Sequence, residues 1–544
     1  MKRNFLFLIL TLFIVNFSFI EAKETEGISY YKAGFPQVAK PILIAEYATD
    51  TLTRAETCFY LGNIYFGENK PDSAEVYFKK GLTGKDDNVL NTIGLAMLKI
   101  KANSKDADLE IQNVLKLKNS KKNPDYFIAA SNAYLVNGQI DQASVYRDKA
   151  KDLKSKYAPM AVLAGDIELA KKDVGTACSN YELAVLYDPN CKEAYIKYAR
   201  AYKNVNTALS IDMLNKLKQK QPDFLLADKE LADIYYNNNE FDKAAQLYDS
   251  YLKSGNSNTK DLVRYATTLF FNHDFAKSLE ISNSGLQKEP RNPAFNRLSM
   301  YNNTDLKKYD DAIISADHLF NQSDKPDFTF LDYRYYGQAL HETKKYDLAI
   351  VQYQKALEAD SSKVDLWKDI SDMYNEKGDL DNAISNYIKY ENSLAEDKKN
   401  ADVIVALGKL YYALGNKDSI SAAVKKSSFL KADSVFALVV KIEPTGYRGN
   451  FWRARANFGL DPETTQGLAK PYYEQTAALV ESKADPKYNS ILLECYRYLG
   501  FYSLVKNEYT TSESYWNKIL AIDPTNATAI KGIEGIKRAL KTKK

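Results

Sequence analysis

A spacing constrains this chain more than any single motif: one pattern of small and aromatic residues returns about every 34 residues. From Ala55 it reads Leu61, Gly62 and Tyr65, then Ala74 and Phe78. It returns as Leu231, Ala232, Tyr235, Ala244 and Tyr248, and as Trp367, Ile370, Tyr374, Ala383 and Tyr387. Elsewhere the second half carries it, in Ala177, Tyr181, Ala184 and Pro189, in Ala349, Tyr353 and Ala356, and in Tyr515, Trp516 and Pro524. Starts fall near 55, 87, 124, 158, 192, 225, 259, 293, 330, 364, 401, 449 and 493, mostly 32 to 37 residues apart. A segment of that length holds two helices and a turn, and it cannot bury its apolar face alone. Stacking of neighbours is therefore the expected architecture. With 544 residues the chain is several times a usual domain, and the period says how that length is used.

Each repeated position has a packing reason. Gly62, Gly94, Gly165, Gly337, Gly408 and Gly500 are expected where two helices approach most closely. Ala39, Ala74, Ala143, Ala177, Ala244, Ala312, Ala349, Ala383 and Ala432 face that point from the second helix. The aromatic one turn later fills the space beside it. Pro189, Pro290, Pro444 and Pro524 end second helices, because proline removes a donor and disfavours helix before it. Asp and Asn beside these breaks offer caps. Much of the excess of 41 tyrosines is thereby structural.

These residues resemble the signature of the tetratricopeptide repeat family, W-x2-L-G-x2-Y followed by A-x3-F, A and P. The resemblance runs through nearly the whole mature chain, with a truncated unit around Ala39 preceding the others. It implies an all-α fold, a right-handed superhelical solenoid of about 13 helix–turn–helix repeats. The unit from about 293 is degenerate, with Asn302, Asn303 and Asn321 where apolar side chains would help. That divides the chain into an N-terminal block, 23–292, and a C-terminal block, 293–544. Two insertions near 412–425 and 460–470, GNKDSISAAVKK and DPETTQGLAKP, are expected to project from one face.

Residues 1–22 read as a signal peptide. Lys2 and Arg3 precede an apolar run over residues 5–20, and Ala22 offers a cleavage site. Export, with a periplasmic destination, is the expectation. The alternative is an inner-membrane protein held by an uncleaved anchor at residues 5–20. No Cys follows the run, which argues against a lipid-attached start. The four cysteines, Cys58, Cys178, Cys191 and Cys495, form no CxxC, and helix rise puts Cys178 and Cys191 roughly 15–20 Å apart, too far to bridge.

Catalytic signatures are missing: GxSxG, HExxH and GxxxxGK[ST] do not occur. His273, His318 and His341 fall in different units, so neither a metal site, a cofactor nor an enzyme is expected. A net charge of +4, from 74 basic and 70 acidic residues, argues against nucleic acid. What remains is surface. In the family that this chain resembles, first helices line a concave groove, and the fifth repeat position faces it. Carried over, that position holds Lys229, Arg334, Lys368, Arg453 and Arg497. These five are the candidate partner-binding residues, suited to an acidic peptide or protein partner. Asp365, Asp372, Asp402 and Glu494 nearby make the surface mixed. The Lys–Asn clamp of some family members is not in register. The basic end, KRALKTKK, reads as a polar cap, leaving membrane contact indirect or through the anchor.

The functional expectation is a non-enzymatic protein–protein interaction scaffold in envelope assembly or secretion. The alternative is a nutrient- or glycan-binding protein that partners an outer-membrane transporter. Only 3 Trp, two of them on repeat positions, weigh against the second.

Overall fold

The computed structural model describes residues 24–51, 53–82, 88–253, 255 and 257–542. The expected signal peptide and anchor, 1–22 and 5–20, lie outside the described residues. Those residues form 29 α-helices. They divide into two compact units, one to Gly285 and one from Leu286.

The first unit opens with α1 (Glu26–Lys32) and α2 (Pro36–Thr49), the truncated pair around Ala39. Next come α3 (Arg54–Gly67) with α4 (Pro71–Gly81), and α5 (Asn88–Lys101) with α6 (Asp106–Leu115). Then follow α7 (Pro124–Leu135) with α8 (Ile140–Leu153), and α9 (Ala158–Ala170) with α10 (Val174–Tyr187). The unit continues through α11 (Lys192–Tyr202) with α12 (Thr207–Lys220) and α13 (Leu226–Asn237) with α14 (Phe241–Leu252). It ends with α15 (Thr259–Phe271) and α16 (Phe275–Lys288), whose last turn holds the division between units.

The second unit begins with α17 (Pro293–Asp305) and α18 (Tyr309–Asp317), the latter running into a π turn over His318–Gln322. It continues with α19 (Phe330–Glu342) and α20 (Tyr346–Ala359), then α21 (Asp365–Glu376) and α22 (Leu380–Ser393). The longest helix, α24 (Ala422–Ile442), pairs with α23 (Ala401–Gly415). The last members are α25 (Arg448–Leu460) with α26 (Lys470–Glu481), α27 (Asn489–Val505) with α28 (Tyr509–Ile522), and the lone α29 (Ala527–Thr542).

Local chemistry sets these boundaries. Asn123, Asn258, Asn292 and Asn400 cap first helices by accepting from backbone N–H groups, and Asp173 and Asp379 cap second helices. Asn69, Asn103, Asn239 and Asn507 take positive φ in the turns between paired helices, a conformation that Asn tolerates better than branched residues do.

Packing gives the repeated glycines a more specific reason than helix approach. Phe78 of α4 lies in a notch between two first helices. A Cβ on Gly62 would come within 2.3 Å of its ring, and one on Gly94 within 2.4 Å. Any side chain there would evict the ring. Gly165 makes the same room for Tyr181, Gly337 for Tyr353 and Gly408 for Phe436.

Some pairs carry a buried serine bond at the crossing. Ser131 and Ser371, on first helices, donate to the carbonyls of Ala143 and Ala383 at 2.6 and 2.7 Å. Ser210, Ser278 and Ser512, on second helices, donate back to Ala199, Ala266 and Gly500. A small residue with a hydroxyl keeps the helices close and adds a bond worth about 1 kcal/mol.

The degenerate pair keeps its helix–turn–helix form with polar residues in its core. Asn302 and Asn303 are buried in α17, and Asn303 donates to Ser315 of α18 at 3.3 Å. Asn321, on the π turn, donates to Asp317. The two insertions differ, the first being mostly exposed over 416–424 and the second burying Asp461, Thr464 and Gly467. The first lengthens α24, and beyond the insertion Phe429 of that helix wedges between Gly415 and Gly459. In the second, the buried Asp461 accepts from the backbone N–H groups of Gln466 and Gly467 at 2.9 and 2.7 Å. All four cysteines are free thiols, and burial pushes those of Cys58 and Cys178 up to about 11.

Candidate functional site

The five expected groove cations meet different fates. Lys229, on α13, donates to Asp233 one turn on at 2.9 Å and lies 3.7 Å from the buried Asp261 of α15. Burial pulls its pKa down, but these carboxylates outweigh that and leave it above the ordinary lysine value. Lys368, on α21, donates to Asp372 at 2.9 Å, and that bond raises its pKa. Arg453, on α25, is drawn between second helices. It grips Asp433 of α24 through Nε and Nη2 at 2.8 and 3.2 Å and reaches the Tyr472 hydroxyl of α26 at 2.8 Å.

Arg334 on α19 and Arg497 on α27 are exposed. Among the described residues neither enters a hydrogen bond or an ion pair. Arg334 and Lys368 are brought together through Asp369, whose carboxyl feels both cations. Desolvation nevertheless dominates there and raises its pKa.

Other first-helix residues do what the five were expected to do, but toward their own chain. Arg200 of α11 grips Glu230 of α13 at 2.7 and 3.1 Å. Arg297 of α17 takes the fully buried Asp332 of α19 at 2.6 and 2.9 Å. Arg455 of α25 takes Glu494 of α27 at 2.8 and 2.6 Å. Each is a two-pronged guanidinium–carboxylate contact that locks one first helix to the next.

Tyrosines add a second lacing. Tyr181 of α10 donates to Asp166 of α9 at 2.8 Å, and Tyr301 donates to Asp332 at 2.8 Å. Burial, then the neighbouring carboxylate, holds both hydroxyls well above the usual tyrosine value, so they remain protonated donors. The repeat pattern offered a signal for the first of these pairs, since Tyr181 and Tyr248 occupy one signature position and both donate to an Asp of the preceding first helix. It offered none for Arg455, two residues past the expected Arg453. Trp452 stacks on Phe436, Trp516 is buried, and Trp367 is half-buried beneath Lys389.

Among the described residues no cluster of His, Cys, Asp and Glu is placed to hold a metal, and no helix is long and apolar enough to cross a membrane. What the first helices present is a mixed, largely self-neutralised surface on which two of the five expected cations, Arg334 and Arg497, are left over. This defines a helical-repeat protein of the interaction-scaffold class, a fold that is generally non-enzymatic and mediates protein–protein contact.

Comparison with known proteins gives the family. Family models of the tetratricopeptide repeat match residues 201–259 and 336–363. The C-terminal part of a TPR repeat-containing protein from Cytophaga hutchinsonii is 32% identical, with 50% of this chain and 99% of that one covered, at a TM-score of 0.40. A tetratricopeptide repeat protein from Parabacteroides merdae is 15% identical over 46% of this chain and 98% of that one, at a TM-score of 0.31. The pilF protein of Pseudomonas aeruginosa is 16% identical over 39% and 96%, also at 0.31. No curated protein sequence matches the chain. The chain belongs to the tetratricopeptide repeat family.

Proposed function

We propose that this protein is an exported, non-enzymatic scaffold that binds an acidic segment of a protein partner, in envelope assembly or secretion. One observation carries the binding part of the reading. Of the five expected groove cations, Lys229, Lys368 and Arg453 are spent on carboxylates of their own chain, whereas Arg334 and Arg497 are exposed and unpaired among the described residues. An exposed guanidinium costs little to desolvate and can accept a carboxylate through two N–H groups. Lys368 pairs with Asp372 only on the surface, so it can exchange that partner for another at small cost. The charged start, apolar run and Ala22 of residues 1–22 support export.

The test uses the tagged mature chain. Proteins that co-purify from the envelope are identified, and glutamate-rich peptides from them are titrated against the chain by calorimetry. Binding that falls about tenfold, or 1.4 kcal/mol, in an R334E/R497E variant supports the reading. Unchanged affinity overturns the role of those residues. Glycan binding without a protein partner would favour the nutrient-binding alternative. N-terminal sequencing that begins at Lys23 supports cleavage, and an intact Met1 start in the membrane fraction overturns it.

A further inference from the structure

A contact across the first unit bears on what that unit can bind. The segment through α1 and the turn after it reaches residues more than 150 positions away in sequence. Lys192 of α11 donates to the Ser29 hydroxyl at 3.2 Å, and Arg200 Nη1 donates to the carbonyl of Gly34 at 3.1 Å. The same guanidinium lies over the Phe35 ring at 4.8 Å. Phe224, in the loop before α13, stacks on Tyr30 at 6.0 Å and meets Phe35 edge-on at 6.1 Å.

The receiving wall is therefore a composite of two cations and an aromatic, on elements that α1 does not adjoin in sequence. The bound segment has the features of a ligand. Its recognised atoms are a backbone carbonyl, a hydroxyl and two rings. Gly34 has φ +84, and a Cβ there would lie 2.5 Å from Arg200 Nη1, so the wall selects glycine at that position. At seven residues α1 is too short to be stable alone, so its order depends on this wall, on the burial of Ile28 and on Glu46, which accepts from Thr25 and from the Gly27 N–H. α2 is anchored in the core of α3 to α9 through the fully buried Ala39 and Leu43, and α1 adds Ile28 to that core.

We propose that the wall of Lys192, Arg200 and Phe224 is a segment-binding site, held in cis by residues 25–35, and that a partner segment of the pattern aromatic–x–x–small–Gly–aromatic displaces them. The strap closes this site until a competitor arrives. This is independent of the acidic-peptide reading, which concerns Arg334 and Arg497.

The test changes the strap and leaves the wall intact. A fluorescent peptide of residues 24–38 is titrated by anisotropy against the full chain and against its Gly34→Val variant, with circular dichroism to verify helix content. Val is strained at that φ and collides with Arg200, so the strap is released and the site opens. The apparent affinity for the peptide should then rise about tenfold or more, since the competent fraction rises. Adding Arg200→Ala to the variant should abolish the gain. Equal affinity for the unaltered chain and for a folded Gly34→Val variant overturns the proposal.

Should that variant not fold, hydrogen exchange on the unaltered chain decides. Amides of Tyr31 to Phe35 that exchange through a local opening, faster than those of α9 and α11, support a releasable strap. Exchange of all these amides in one cooperative opening overturns it.

Discussion

In the first unit, most cations of the first helices are matched, as Arg200 holds Glu230 and the Gly34 carbonyl, Lys197 holds Asp166 and Glu193, and Lys229 holds Asp233, while Lys260 of α15 is exposed without an ion pair among the described residues. In the second, Arg297 and Arg455 are matched just as tightly, but Arg334 and Arg497 are left over, and Lys409 of α23 meets only the Trp452 ring. Both units use one helix-pair plan and similar residue types. The difference teaches that position in a repeat does not decide whether a cation is available to a partner. Availability depends on whether a carboxylate happens to lie opposite on the neighbouring helix, or whether a segment of the chain lies across it.

That comparison can be broken or sharpened by substitution. The largest effect is expected for Phe78→Ala, which empties a notch shared by two first helices. Its cost should be about 4 kcal/mol, confined to the first unit. Hydrogen exchange should show protection lost in α3 to α5 and retained in α27 and α28. Equal loss in both would mean that the two units unfold as one.

Next is Arg297→Ala, which leaves the fully buried Asp332 carboxylate with only Tyr301 and the Thr329 backbone and hydroxyl. About 3 kcal/mol should be lost, this time from the second unit, as read by urea unfolding. Ser371→Ala removes one buried hydroxyl bond and should cost about 1 kcal/mol in the same assay. R334E/R497E should shift stability by no more than about 0.5 kcal/mol while weakening an acidic partner, because neither arginine holds the fold together. A large loss of stability in that variant would show that these side chains are structural after all.

The smallest effect concerns pH. The hydrogen bond from Lys277, above all, holds the Asp249 carboxyl below its ordinary 3.8. A carboxyl depressed in the folded state stabilises at pH above its ordinary value, and that contribution is lost as pH falls through the lower folded value. The pair is well exposed, so Lys277→Ala should reduce the acid dependence of the first unit's melting by about 0.5 kcal/mol or less. Thermal melts at descending pH would measure it. A steeper acid dependence in the variant would contradict the assignment.

Helix pairs, glycine notches and turn residues were legible in the chain because each depends on residues within one period or the next. Gly62 and Phe78 lie 16 positions apart, and the same interval separates Gly165 from Tyr181 and Gly337 from Tyr353. Reading the serine bonds required accepting Ser for Ala or Gly at a signature position, as at Ser131 and Ser371. The candidate site was legible only as a set of positions. Arg453 stands where the repeat predicts a groove residue, yet Asp433 and Tyr472 draw it between second helices, and Arg455 makes the contact along the first helices instead.

The sequence by itself determined an all-α repeat of helix pairs, because the spacing of small and aromatic residues admits one way of burying an apolar face. It also determined where helices stop, since Pro, Asn and Asp act on the backbone beside them. Only the tertiary structure decided which cations are spent and which remain, because ion pairing joins residues of different repeats. It alone brought Arg200 to Gly34, 166 positions away, since the accumulated turn of many stacked pairs, and no local signal, sets which distant residues meet.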